Sequence, residues 1–377
     1  MAGARGGEFR ELISPFLRAK IDEAAAQFGQ ASRQYLALSR QYVRSPLEQV
    51  VSGEDRRRHY ESEITIAFEG RPVIGVERLY RRTILIEPST VCAAHCRWCL
   101  RGQYPIQTMA RDDIEHAARY IGSAGLADDI DEVLVTGGDP LMSLPLLSHT
   151  IDALRRFAPN VRILRIGSRV PFQDPERVND AMLELFDRQS GLRLELGVNV
   201  NHPVEFWPES VAALQRLQQV GFRIYNQHPL LKGVNDDRDT LIAHYSKLRD
   251  LDIEAHYLFH AIPLRGMAHH RTSLARGLEL ANMLGSNGEF SGRGKPRFAV
   301  LSDIGKIVVY HDTVVDHRAA DNSLLLRSGF RLEDRLRWNP SWKPPRDAIV
   351  DADGMLMTWY RDGRDDVAAA PIAAAAE

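Results

Sequence analysis

Between Thr83 and Leu284 short β-branched runs alternate with amphipathic stretches six times over, and few architectures satisfy such an alternation. The strand-like runs lie at residues 83–86, 132–136, 162–166, 192–200, 222–226 and 255–259. The helix-like stretches lie at 112–121, 144–157, 176–188, 208–219, 238–251 and 273–284. Strands separated by helices of this length run parallel, joined by right-handed crossovers, with the helices outside. Open parallel sheets and barrels bind ligands at the carboxyl ends of their strands. The chemically loaded segments fall at those ends: a cysteine loop after the first strand, Thr136-Gly137-Gly138-Asp139-Pro140 after the second, Gly167-Ser168-Arg169 after the third, Asn201-His202-Pro203 after the fourth and Asn226-Gln227-His228 after the fifth.

The cysteine loop carries the strongest chemical statement. All three cysteines of the chain, Cys92, Cys96 and Cys99, fall in one eight-residue window with the spacing C-x3-C-x2-C. Thiolates are the usual ligands of iron–sulfur clusters, and three of them leave one iron of a four-iron cubane without a protein ligand. An open iron suggests a substrate or cofactor site. Zinc is the alternative, but structural zinc sites are closed by four ligands, so His95 would have to complete the set. Three closely spaced cysteines do not make a disulfide framework, and reduced thiols fit a cytosol.

At 377 residues the chain is long enough for one large barrel with extensions, and 44% hydrophobic with 26% charged residues is a globular composition. A formal net charge of -2 gives no basic field for nucleic acid. Neither a signal-peptide core nor an apolar run of membrane-spanning length is present, so a soluble cytoplasmic protein without membrane partners is expected. The expected organisation is an N-terminal helical extension at 1–75, helical from Glu11 to about Gln49; a barrel at 76–288; a β-rich segment at 289–366, opening with a hairpin that turns at 303–306; and a disordered alanine-rich tail at 367–377. A homo-oligomer is compatible with all of this.

A cysteine triplet of this spacing, with Trp98 before the last cysteine and a Gly-Gly-Asp loop on the next strand, resembles the radical S-adenosylmethionine (SAM) superfamily. Over residues 72–315 the chain is similar to the lysine 2,3-aminomutase-like family within it. The supporting pieces run in order: residues 136–141, 165–169 and 201–203, Asn226-Gln227 followed by Leu230-Leu231-Lys232-Gly233-Val234-Asn235-Asp236, and Arg271-Thr272. The resemblance implies an α/β fold, a partial (βα)6 radical-SAM barrel with an N-terminal helical preface and a C-terminal β-rich extension. It implies that Cys92, Cys96 and Cys99 hold a [4Fe-4S] cluster whose open iron is chelated by SAM, reduced by a donor such as flavodoxin or ferredoxin. Gly137 and Gly138 would let backbone approach the methionine end of SAM, and Asp139 would accept from its ammonium; the plainer alternative is a strand-ending turn with a helix cap. Arg101 and Arg169 match active-site arginines able to hold a phosphate or carboxylate, and Arg78 is a further candidate anion contact. Ser168, His202 and Gln227 would face the same mouth, with a structural histidine the alternative for His202.

Family aminomutases also use pyridoxal 5′-phosphate (PLP) on a lysine, and that position falls on Lys306; Lys295, in a richer glycine context, lies earlier. The two aspartates that hold the remote ammonium of L-lysine correspond to Ile262 and Leu301, with Asp303 near the second, and no cysteine follows Cys99. The chain is therefore expected to abstract hydrogen from a small amino acid or amine other than L-lysine and to move its amino group between carbons 2 and 3. The alternative is PLP-independent radical chemistry: dehydrogenation, elimination, epimerisation or protein modification. A non-catalytic iron–sulfur or zinc protein is the third reading.

Overall fold

The computed structural model describes residues 9–50, 66–100, 106–286 and 288–366. The charged run Glu54-Asp55-Arg56-Arg57-Arg58, Arg101 and the tail at 367–377 lie outside them. After two helices, Pro15–Phe28 and Arg33–Tyr42, a small hairpin of β1 (Ala67–Phe68) and β2 (Arg71–Pro72) precedes β3 (Val76–Glu77), so the N-terminal extension is not wholly helical. There follow β4 (Thr83–Ser89), β5 (Glu132–Gly137), β6 (Ile163–Ser168), β7 (Arg193–Val198), β8 (Arg223–Leu230), β9 (Glu254–His260), β10 (Arg297–Ser302) and β11 (Gly305–Val308). These form one curled half-barrel sheet in the order β11-β10-β9-β8-β7-β6-β5-β4-β3. From β4 to β10 every neighbouring pair is parallel, and β3 and β11 close the two edges antiparallel.

Helices Leu144–Phe157 and Pro208–Gln219 begin with proline in the first turn, where its fixed φ suits the helix and its missing N–H goes unneeded. Alternate strand residues, among them Ile84, Ile86, Val133, Val135, Leu164, Ile166, Leu194 and Leu196, are buried against the outer helices in a single apolar core. The opposite row is polar. Arg165 donates to the Tyr225 hydroxyl at 2.7 and 3.0 Å, pairs with Glu132 and lies 3.6 Å from Glu195. A Cβ on Gly197 would sit 2.8 Å from that hydroxyl, so glycine makes room for the tyrosine.

The hairpin expected at the head of a separate C-terminal segment belongs instead to the barrel sheet, where β10 pairs in parallel with β9 through Phe298↔Leu258. The barrel sheet thus extends past residue 288 and has a seventh parallel strand. Apolar Phe298, Ala299 and Val300 are buried because they continue the sheet's core. The β-rich extension proper is a four-stranded antiparallel sheet, β12 (Val314–Arg318), β13 (Ser323–Arg331), β14 (Ile349–Val350) and β15 (Met355–Arg361), in the order β12-β13-β15-β14. The chain beyond it returns to the mouth. Arg271 donates to the carbonyls of Ala261 (2.8 Å), Arg361 (2.6 Å) and Asp362 (3.1 Å), and Lys232 Nζ donates to those of Arg364 and Asp365, each at 2.8 Å. A Cβ on Gly363 would lie 1.7 Å from the Thr272 carbonyl oxygen, so only glycine lets this strap sit so close.

Neutral histidines lock the mouth. His228 Nε2 pairs with the Tyr245 hydroxyl at 2.9 Å while its Nδ1 accepts from Asn235; His260 bonds the Tyr360 hydroxyl at 2.7 Å and the Thr272 carbonyl at 2.9 Å. Burial, reinforced by Arg169 and Arg271 respectively, pushes both imidazoles down to about 3. An unfolded histidine takes up a proton near pH 6.5, whereas these stay neutral until about pH 3. Stability is therefore present above about pH 6.5 and is lost as the pH falls below it, by about 1.4 kcal/mol per pH unit for each histidine. Denaturant midpoints measured between about pH 7.5 and 5 should fall steeply, and His260→Asn should flatten that slope.

Candidate active site

The cysteine loop leaves the end of β4 zipped to the end of β5. Gly138 N donates to Ser89 O at 2.7 Å and Asp139 N to Val91 O at 2.8 Å. A Cβ on Gly137, whose φ is +120°, would lie 2.3 Å from Ser89 O, and one on Gly138 would lie 2.3 Å from Val91 O. Glycine is demanded here by the close approach of this backbone to that of the cysteine loop. Cys96 is buried, and Cys92 and Cys99 are half-buried. The Cys92 thiol is pushed well up, first by burial and then by Cys99, Asp139 and Cys96, with Arg169 opposing, so the three sulfurs share one neighbourhood.

His95 does not complete a four-ligand set. Its Nδ1 bonds the Arg10 carbonyl at 2.8 Å and its ring stacks on Phe9 at 4.9 Å. Among the described residues no group of three or more His, Cys, Asp or Glu is arranged to hold a single metal ion. A cubane places each thiolate on a separate iron and asks for a wider triangle. The donor set, three thiols and no fourth ligand, fits a cluster with one open iron.

Behind the loop, Asp139 is a clamp. Its carboxylate accepts from the backbone N–H groups of Leu141 (3.0 Å), Arg169 (2.7 Å) and Val170 (3.1 Å) and from the Ser168 hydroxyl (2.8 Å). Burial raises its pKa, and these donors oppose the shift. The carboxylate expected to receive an ammonium is thus occupied within the protein, and Ser168 is bound to it rather than to the mouth. Arg169 is likewise engaged. It donates to Cys96 Sγ (2.8 Å), Gln41 Oε1 (3.2 Å) and Glu205 Oε2 (2.9 Å), and lies over the rings of Tyr42 and Trp98. Both of its Nη groups are thus engaged within the protein, while its Nε is buried without a hydrogen-bond partner.

Residues without a sequence signal of function complete this network. Fully buried Glu205 accepts from Asn201 N (2.9 Å), His202 N (3.0 Å) and Gln41 Nε2 (3.2 Å), and Gln173 Nε2 donates to Cys96 Sγ at 3.4 Å. Arg97, also buried, holds Glu48 and the carbonyls of Phe9 (2.9 Å) and Arg10 (3.2 Å). Leu17, Ile21, Leu38 and Tyr42 pack against Ala94 and Cys96. The helical preface is therefore the wall of the cysteine loop. The one faint signal was Glu205, three residues after His202 as in a capping box.

The remaining candidates divide. His202 Nδ1 accepts from Val204 N at 3.1 Å, capping its own turn, and burial lowers its pKa to about 4. Arg78 faces the outer layer, bonding the Arg81 carbonyl at 3.2 Å and lying 3.7 Å from Asp129, with burial and Tyr120 first among the influences on it; it is no anion contact in the mouth. Gln227 Oε1 is buried without a hydrogen-bond partner, as are Trp98 Nε1, Asn199 Oδ1 and Asn201 Oδ1, all from segments at the strand ends. Buried orphans of this kind are what a polar ligand would satisfy. Lys295 donates to the Gly285 carbonyl on the surface. Lys306 lies inside the curl, its Nζ 5.3 Å from the Tyr257 ring and 5.6 Å from that of Phe259. Burial, helped by Arg165 and opposed by Glu77 and Glu132, brings its pKa down to about 8.

Comparison with known proteins agrees with this geometry. The family model for the radical SAM superfamily matches residues 86–244. A protein of Aquifex aeolicus (strain VF5), provisionally named L-lysine 2,3-aminomutase, is 33% identical over 266 residues, covering 66% of this chain and 69% of the relative. An L-lysine 2,3-aminomutase of Methanococcus maripaludis is 32% identical over 252 residues, covering 66% of this chain and 57% of the relative; that of Acetoanaerobium sticklandii is 32% identical, covering 61% and 54%. The chain thus spans 54–69% of the length of these relatives. A radical SAM methyltransferase of Sphaerobacter thermophilus, covering 78% of this chain and 96% of its own, superposes at TM-score 0.45 and 15% identity, too distant to inform the site. The chain belongs to the radical SAM superfamily and, within it, to the lysine 2,3-aminomutase-like family. That family implies a [4Fe-4S] cluster and SAM.

Removing one member of a buried ion pair leaves the other charged and uncompensated, at a cost of about 3–5 kcal/mol. Glu205→Leu should lose that much in urea denaturation of the apo-protein, and Glu205→Gln, which keeps part of the hydrogen bonding, distinctly less.

Proposed function

We propose that this enzyme abstracts hydrogen from a small amino acid or amine and moves its amino group between carbons 2 and 3, with PLP held through Lys306. The observation that carries the reading is the placement of Lys306. An amine lowered to about 8, inside the barrel and over two aromatic rings, is a far better nucleophile near neutral pH than an exposed lysine. When bound, the cluster and SAM supply hydrogen-atom abstraction, and PLP supplies stabilisation at the carbon bearing the amine. Cys92, Cys96 and Cys99 would hold the cluster, with a flavodoxin- or ferredoxin-type donor providing the electron. Gln227 Oε1 and the unpartnered amide oxygens of Asn199 and Asn201 would orient SAM or substrate.

The same face disfavours a dibasic substrate. Leu301 stands directly across from Lys306 in the β10–β11 ladder, and Ile262 follows β9 by two residues. A remote ammonium placed between these apolar side chains would lose its hydration without a counter-charge. The favoured substrates therefore carry no distal cation. Arg165, Glu132, Glu195 and Tyr225 are bonded to one another in the lower layer and serve to orient that layer rather than to bind the remote end.

One observation favours PLP-independent chemistry as a second reading: Arg169 and Arg78, two of the three arginines considered for an anionic group, are engaged elsewhere, and Arg101 lies outside the described residues. The two readings separate cleanly. Protein reduced anaerobically with dithionite should convert SAM to 5′-deoxyadenosine under either. Under the first, borohydride in the presence of PLP should label Lys306, and Lys306→Ala should abolish both the label and turnover. The rate of labelling should rise with pH and level off above about pH 8, because only the neutral amine reacts; a rise continuing to pH 10 would mean an ordinary exposed lysine.

A further inference from the structure

The Cys96 sulfur accepts two buried side-chain N–H groups, from Arg169 Nη1 at 2.8 Å and Gln173 Nε2 at 3.4 Å. Neither donor is free to drift. Arg169 is pinned by Glu205 and Gln41 and between the rings of Tyr42 and Trp98. Gln173 ends the short helix Val170–Gln173, whose first N–H groups are bound by Asp139 and whose last carbonyl accepts from the Ser14 hydroxyl. Three of these anchors, Gln41, Tyr42 and Ser14, come from the N-terminal extension, so the barrel and its preface together aim the donors at one sulfur.

We propose that Arg169 and Gln173 are positioning residues that raise the reduction potential of the cluster through N–H···S hydrogen bonds to Cys96. The proposal rests on the assignment of a [4Fe-4S] cluster to the three cysteines. Donors to a ligating sulfur withdraw electron density and favour the reduced, more negative state; hydrogen bonding to sulfur is among the established determinants of cluster potential. The guanidinium charge is largely compensated by Glu205, so what reaches the sulfur is a directed bond more than a net positive field. A higher potential eases electron uptake from the donor and leaves less driving force for SAM cleavage.

The test is an anaerobic potentiometric titration of the reconstituted full-length protein without SAM, followed by electron paramagnetic resonance of the reduced cluster, with iron and acid-labile sulfide measured on each sample. Gln173→Leu removes one donor and leaves the Arg169–Glu205 pair intact; Arg169→Lys removes the planar fork and keeps the charge. Both should retain wild-type iron and sulfide and show a midpoint shifted downward, Arg169→Lys at least as far as Gln173→Leu. A wild-type midpoint in Gln173→Leu at full iron and sulfide content overturns the proposal, and this variant decides the matter if Arg169→Lys does not fold. Wild-type protein that takes up no iron or sulfide overturns the cluster assignment itself, a separate failure that is read before any potential is measured.

Discussion

The buried pair of Arg169 and Glu205 holds the candidate site together. Its arginine comes from the end of β6, its glutamate from the turn after β7, and the Gln41 amide that bridges them from the second N-terminal helix. In water such a pair contributes little, but here both partners are almost wholly shielded, and each is surrounded by further hydrogen bonds that make burial tolerable. The consequence is geometric. Three parts of the chain that are far apart in sequence can approach the cysteine loop in only one arrangement, because any other leaves a charge unpaired in a low-dielectric interior.

Asp139 performs the complementary task for the backbone. By accepting from consecutive N–H groups at the end of β6 it fixes the direction of the short helix that follows, and by donating its own N–H to Val91 it ties that helix to the cysteine loop. Residues that a motif reading assigns to ligand contact thus build the frame around the ligand. This leaves the mouth to groups of quieter appearance: the amides of Asn199, Asn201 and Gln227, the indole of Trp98 and the amine of Lys306.

The parallel sheet was legible because β-branched runs and amphipathic helices have different periods, and the predicted helices at 144–157 and 208–219 match the observed ones residue for residue. The cysteine spacing was legible too, since it is a local pattern. What was not legible depends on tertiary pairing. Nothing in residues 297–308 says whether the hairpin joins β9 or stands apart, and no local signal links Gln41 to Glu205, 164 residues away. The protein partners of Asp139, Arg169 and Arg78 were hidden for one reason: sequence places a charged residue at a strand end but does not say which of two directions its side chain takes.

The strap formed by residues 360–366 bears on how such a protein can be made. Lys232 Nζ and the Arg271 Nη groups, at the mouth, find carbonyl partners in chain synthesised about 90 to 130 residues later, while Arg271 Nε has a nearer one in Ala261. Until that segment has left the ribosome, these two cations lack most of their acceptors, so the βα units can collapse early but the rim stays unsealed. Maturation of the barrel is therefore a late, long-range event.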